Sequence, residues 1–228
     1  MYKFLIIAVF INSCKSEKPN KISKVISQNI SVIAPINYDS CKRKMDTIKS
    51  AYKTSWNLIP IKEKEKVFTE AITKTIVPAW IGTQWAYSGI TEVPQKGSIA
   101  CGYFVTTVLR DAGLPLARIK LAQVASEEMI KKLVGEKYIK RFSNVSFKEF
   151  ISFLQNNYNG LYIIGLDNHT GFILKDDLGI WFIHSTFIGN GKVQKEDAVE
   201  STILQNSSYK IIGKISADEA VLNRWIKN

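Results

Sequence analysis

Apolar and polar positions change rhythm about two thirds of the way along this chain. Before residue 159 the apolar positions recur at helical spacing. Met45, Ile48, Tyr52 and Trp56 stand three or four apart in a charged stretch and predict an amphipathic helix over 41–58. Val67, Phe68, Ala71, Ile72 and Ile76 predict a second over 62–77, ended by Pro78. Phe104, Val105, Val108 and Leu109 predict a third, with Ser98 as its N-cap, Cys101 in its first turn, and Gly113 and Pro115 as stops. Residues 126–134 predict a fourth. Ser146-Phe147-Lys148-Glu149 reads as a capping box that opens a fifth helix, running to about Asn156.

After Asn159-Gly160 the texture becomes that of strands. Leu161 to Leu166, His169 to Lys175 and Ile180 to Ser185 predict three strands, the last two joined by a hairpin turn at Asp176-Asp177-Leu178-Gly179. Tyr209 to Ile215 predicts a final strand and Ala217 to Ile226 a terminal helix. Helices followed by an antiparallel meander give the class α+β. Between the second and third helices, Gly82-Thr83-Gln84-Trp85-Ala86-Tyr87-Ser88-Gly89 is an aromatic loop bounded by glycines.

The first residues follow neither pattern. Met1-Tyr2-Lys3 is a short positive segment, and Phe4 to Phe10 is an apolar run too short to cross a bilayer as a helix. Ile11-Asn12-Ser13-Cys14 is similar to a bacterial lipobox. Residues 1–14 are expected to be a lipoprotein signal, with Cys14 lipidated as the new N-terminus and a membrane as its partner. An ordinary secretory signal or a buried strand is the alternative. Residues 15–40 are then a polar tether, and 41–228 one domain with a helical extension at its front.

Composition narrows the function classes. Hydrophobic residues make up 46% of the 228, enough for a sizeable core and against general disorder. The formal charge of +11 suits solubility or attraction to a polyanion. No basic run interleaves with aromatics in a nucleic-acid motif, so nucleic acid is not an expected partner. Cys41, in Cys41-Lys42-Arg43-Lys44, reads as an incidental free thiol. The chain has no CxxC and no paired metal-ligand spacing, so neither a metal nor another cofactor is expected.

Candidate chemistry centres on Cys101. A thiol in the first turn of a helix sits among unpaired N–H groups at the positive end of the helix dipole. Both favour the thiolate, and the same N–H groups can hold an oxyanion. A buried inert cysteine is the alternative. The only two histidines, His169 and His184, fall on the two hairpin strands. Strand alternation puts His169, Gly171 and Ile173 on one face of the first strand, and Ile180, Phe182 and His184 on one face of the second. One imidazole can then take the thiol proton while the other orients it. Gly171 leaves room for close approach.

These residues, in this order, resemble the NlpC-type papain-like cysteine peptidases of bacterial cell walls. The resemblance spans roughly residues 78–190 and rests on the loop Gly82 to Gly89, the helix-opening Cys101, His169-Thr170-Gly171 and Ile183-His184-Ser185. It implies a papain-like fold, in which a nucleophile at a helix N-terminus packs on an antiparallel meander. It implies Cys101 as nucleophile, His169 as general base and acid, and His184 as orienting residue, with Gln84, Trp85, Tyr87 and Gly102 near the substrate. The implied reaction is hydrolysis of amide bonds in peptidoglycan stem peptides by an exported lipoprotein of the cell envelope. The sequence also departs from the family. Its usual Asp-Cys-Ser is here Ala100-Cys101-Gly102, and its loop tyrosine is replaced by Trp85, with Tyr87 two residues on. An amidase or acyltransferase acting on a different substrate, or a non-catalytic exported binding module, therefore stays open.

Overall fold

The computed structural model describes residues 37–228. The expected signal segment, Cys14 and most of the expected tether lie outside the described residues. Helix α1 (Tyr38–Lys53) begins inside the expected tether, with the Asn37 side chain accepting from the Ser40 N–H as its cap. It ends before Trp56, which packs instead against Trp225 with ring centroids 5.7 Å apart. Helix α2 (Ile61–Ala71) does not stop where Pro78 was expected to end it. It runs through a π-helical turn (Ile72–Ile76) into α3 (Val77–Trp80), and the Val77 N–H reaches back to the Ile72 carbonyl. Proline supplies no N–H and crowds the turn before it. Widening that turn lets the run continue, and burial of Ile72, Ile76, Val77 and Trp80 secures it.

Helix α4 (Cys101–Asp111) starts at Cys101 itself. Its N-cap is Ala100, without a side-chain cap, so Ser98 does not have the expected capping role; Ser98 bridges to Gln84 instead. Helices α5 (Arg118–Ala122) and α6 (Ser126–Leu133) follow, then strand β1 (Ile139–Ser143). Helix α7 (Phe147–Gln155) carries the expected capping box between Ser146 and Glu149. Strands β2 (Gly160–Leu166), β3 (Thr170–Asp176), β4 (Gly179–Ser185) and β5 (Val193–Asp197) form a meander. Helix α8 (Thr202–Asn206), strand β6 (Tyr209–Gly213) and helix α9 (Glu219–Lys227) complete the chain.

The architecture is α+β, with helices ahead of a six-stranded antiparallel sheet of order β1-β6-β2-β3-β4-β5. Both faces of the sheet are covered. On one face Leu161, Ile163, Phe172, Leu174, Ile183 and Ile211 pack with Phe68, Phe104, Val108 and Trp225 from the helices. On the other, Tyr162, Ile164, Ile173, Phe182 and Ile212 pack with Phe150, Leu154 and Leu204. Strand β2 is buried at every position, which is why its sequence is an unbroken apolar run. The two strands that the apolar pattern does not reveal are the edges. Ile-Lys-Arg-Phe-Ser in β1 and Val-Gln-Lys-Glu-Asp in β5 carry the charges that discourage edge pairing.

A polar chain ties α1 to this core. The Trp80 Nε1–H donates to Tyr38 Oη at 2.9 Å, and the Tyr38 hydroxyl donates to Asp111 Oδ2 at 2.6 Å. Burial, together with the Asp111 charge, pushes the phenol pKa far up, so it remains a donor. Tyr38→Phe leaves the Trp80 indole N–H without its acceptor and is expected to cost about 1–3 kcal/mol in urea unfolding. An unchanged midpoint would show that α1 is not anchored there.

Candidate active site

The segment before Cys101 is held extended on both sides. The Ile99 N–H donates to Gln84 O at 2.9 Å and the Ala100 N–H to Gly89 O at 2.8 Å. From β4, the Ser185 hydroxyl donates to Ile99 O at 2.7 Å. Phe104, Val105, Val108 and Leu109 then bury the next turns of α4 in the core. Cys101 is thereby fixed at the helix start, partly accessible, with the backbone N–H groups of Cys101, Gly102 and Thr170 acting on its sulfur to lower its pKa.

Those N–H groups act as expected, but they do not win. Burial pushes the Cys101 thiol above its ordinary value, outweighing the backbone hydrogen bonds that lower it. The expectation of a thiolate favoured by the helix start is corrected for the resting protein. Taking an anion out of water costs more than these dipoles return. Cys41 is also a free thiol, half-buried beside the core, and no disulfide joins it to Cys101.

His169 lies one residue before β3 rather than within it, which corrects its assignment to a strand. The turn that carries it is closed by the Leu166 N–H donating to His169 O at 2.8 Å. Asp167 anchors the same turn, accepting from the Ser208 and Tyr209 N–H groups at 2.7 and 3.0 Å. His184, on β4, is fully buried. The two imidazoles share one face, as alternation predicts, and His169 Nε2 lies 2.9 Å from His184 Nδ1. Phe182 stacks on the His184 ring at a centroid distance of 3.9 Å and meets His169 edge-on. A Cβ on Gly171 would stand 2.9 Å from His184 Cβ and 2.8 Å from the Phe182 ring. The space that Gly171 opens is therefore filled by the second histidine and its neighbour.

Cys101 and His169 line one cleft of about 470 Å³. Gly102, Ala122, Val124, Ala125, Met129 and Leu166 give it a small and apolar wall, and Glu127, Asp167, Asn168 and Tyr209 a polar one. Thiol and imidazole share this cleft without a direct hydrogen bond, a looseness common before substrate arrives. Burial, with the charge of His184, pushes the His169 pKa down to about 3, and burial lowers that of His184 as well. The resting pair is thus neutral thiol and neutral imidazole.

The other expected site residues divide. Gly102 lines the cleft, where a Cβ would meet the Ala122 carbonyl at 2.6 Å, so the end of α5 fills the space of a side chain there. Gln84, Trp85 and Tyr87 are not among the cleft-lining residues. Trp85 packs on Phe187 with centroids 5.4 Å apart, Gln84 is exposed, and Tyr87 is 90% exposed. Two contacts to His184 that the sequence does not announce come from β5: Glu196 Oε1 lies 3.4 Å from its Nε2 and Gln194 Nε2 lies 3.3 Å away. Their only sequence signal is strand alternation, which puts 194 and 196 on one face of a strand that was itself not foreseen.

A larger cavity of about 850 Å³ lies between α2 and the β3–β4 hairpin. It mixes lysines with carboxylates and, among the described residues, has no cysteine or histidine in its lining. Among the described residues no group of three or more His, Cys, Asp or Glu could hold a metal, and no helix is long and apolar enough to cross a membrane. No family model matches the sequence, and neither a curated protein nor a solved structure matches the chain.

Two outcomes are expected. Gly171→Ala displaces the His184 ring and lowers any activity of Cys101 while the protein stays folded by circular dichroism. The second concerns pH. His169 binds its proton near pH 6.5 when unfolded but only near pH 3 when folded. The unfolded chain therefore holds more protons between these values, and stability falls as pH drops from about 7 towards 3. Urea midpoints across this range should fall in the native protein and fall less in His169→Gln.

Proposed function

We propose that this protein is a papain-like cysteine hydrolase that cleaves amide bonds, with peptidoglycan stem peptides as its substrate. The observation that carries the reading is the shared cleft of Cys101 and His169, with His169 held at 2.9 Å by the buried His184. His169 Nε2 is engaged by His184, so Nδ1 is the nitrogen free to act on the cleft side. Cys101 Sγ attacks the amide carbon as its proton passes to His169 Nδ1. Backbone N–H groups at the start of α4 stabilise the oxyanion. Nδ1 then returns the proton to the leaving amine, leaving a thioester on Cys101. Water, deprotonated at Nδ1, attacks that thioester and releases the carboxylic acid and the thiol.

The neutral resting pair makes this general-base catalysis, in contrast to attack by a preformed thiolate–imidazolium pair. The lipobox-like Ile11-Asn12-Ser13-Cys14 and the positive charge support an envelope lipoprotein working on an anionic wall polymer. One observation favours a second reading. Among the described residues no lysine or arginine lines the cleft to meet a stem-peptide carboxylate, and the Ala122 carbonyl occupies the space of a side chain at Gly102. An amidase or acyltransferase taking an uncharged acyl group suits that wall.

Cys101→Ala is expected to abolish release of soluble fragments from purified sacculi, read by mass spectrometry, while leaving the fold intact. Turnover of a neutral amide panel with intact sacculi would select the second reading. In the native enzyme kcat/KM should persist at pH 5, because the base stays neutral well below 6.5. Iodoacetamide should label Cys101 slowly at neutral pH and faster only as the thiol ionises at alkaline pH. A rapid reaction at pH 6 would refute the neutral pair.

A further inference from the structure

A neutral imidazole carries one proton on two nitrogens, so the 2.9 Å contact between His169 Nε2 and His184 Nδ1 allows two arrangements. If His169 Nε2–H donates, its Nδ1 is left with a free lone pair and His184 carries its own proton on Nε2. If His184 Nδ1–H donates, the proton of His169 sits on Nδ1 and the ring has no base to offer. Which arrangement holds is decided at the far end of the chain, at His184 Nε2.

Among the described residues two groups are partners of that nitrogen, both from β5. The Glu196 carboxylate at 3.4 Å has only lone pairs and requires an N–H. The Gln194 amide nitrogen at 3.3 Å has only N–H groups and favours the opposite. That amide donates at the shorter distance of 2.9 Å to Glu196 Oε2, and the Ser201 side chain helps to lower the pKa of the carboxylate. Gln194 therefore holds the carboxylate against the ring more than it feeds the ring. The rings against His184 are the stacked Phe182 and His169 itself.

Resting on the reading of Cys101 and His169 as nucleophile and base, we propose that Glu196 is a positioning residue that selects the tautomers of both histidines. Its carboxylate accepts from His184 Nε2–H. His184 Nδ1 then accepts from His169 Nε2–H, and His169 Nδ1 is left unprotonated towards the cleft. When His169 takes the thiol proton, both of its nitrogens carry hydrogen, and the carboxylate on the far side of the buried His184 ring supplies the countercharge. Glu196 touches neither substrate nor thiol, and acts through His184 alone.

The chain has two histidines in all, so selective labelling reads every imidazole nitrogen directly. The full chain labelled with 15N-histidine is examined by long-range 1H–15N correlation at neutral pH. Native protein is expected to show both rings protonated at Nε2 and both Nδ1 atoms with pyridine-type shifts. In Glu196→Gln, which keeps the shape, and in Glu196→Ala, the Nδ1-protonated forms should grow. Against sacculi or the turned-over amide, kcat should fall on the order of 10- to 100-fold, with KM little changed and the fold retained by circular dichroism. Native protein with His184 protonated at Nδ1, variants with unchanged ring spectra, or a rise in KM at constant kcat would each overturn the proposal. The spectra need no substrate. Inert Cys101 with the expected ring shifts would therefore defeat the hydrolase reading while leaving the tautomer selection by Glu196 standing.

Discussion

The register of the β3–β4 hairpin is the constraint on which the site depends. Asp176 and Gly179 pair across a two-residue turn, and Asp176 Oδ1 accepts from the Leu178 and Gly179 N–H groups to hold it. That register pairs Phe172 with Ile183, and one step further on brings Gly171 against His184. His169, at the entry to β3, then meets His184 within hydrogen-bond distance. A slip of one residue would turn His184 to the face where Ile183 and Phe172 pack, and the contact between imidazoles would be lost. Gly171 guards the arrangement from within, because a side chain there would collide with the Ile183 carbonyl, the Phe182 ring and His184 Cβ.

Burial then sets the chemistry. His184 is sealed beneath Phe182, and both imidazoles favour their neutral forms because charge is costly in that setting. The same burial raises the thiol pKa despite three backbone N–H groups. Glu196 is the exception among these groups. Burial raises its pKa, but hydrogen bonds from His184 and Ser201 outweigh that and hold it below the ordinary carboxylate value. One stable negative charge thus stands at the end of a line of neutral groups.

The residue pattern made the class legible, along with the helices that open at Cys101 and Ser146, the run of β2 and the hairpin carrying the histidines. It did so because core-facing positions repeat with the period of their element. The edge strands β1 and β5 escaped because charged edges carry no such period. Pro78 misled because a π-helical turn absorbs what an α-helix cannot. Ser98 misled because the chain before Cys101 is held by strand-like bonds to Gln84 and Gly89, leaving the helix to begin without a side-chain cap.

The sequence by itself determined which groups can do chemistry here, since one thiol at a helix start and two histidines on one hairpin follow from local rules of spacing and alternation. It also determined that the histidines share a face. Tertiary structure alone decided the protonation of these groups and the company they keep. The raised thiol, the neutral imidazoles and the approach of Glu196 from β5 depend on burial and on which strand lies beside β4. Desolvation and through-space contact sum over neighbours distant in the chain, and no local period records them.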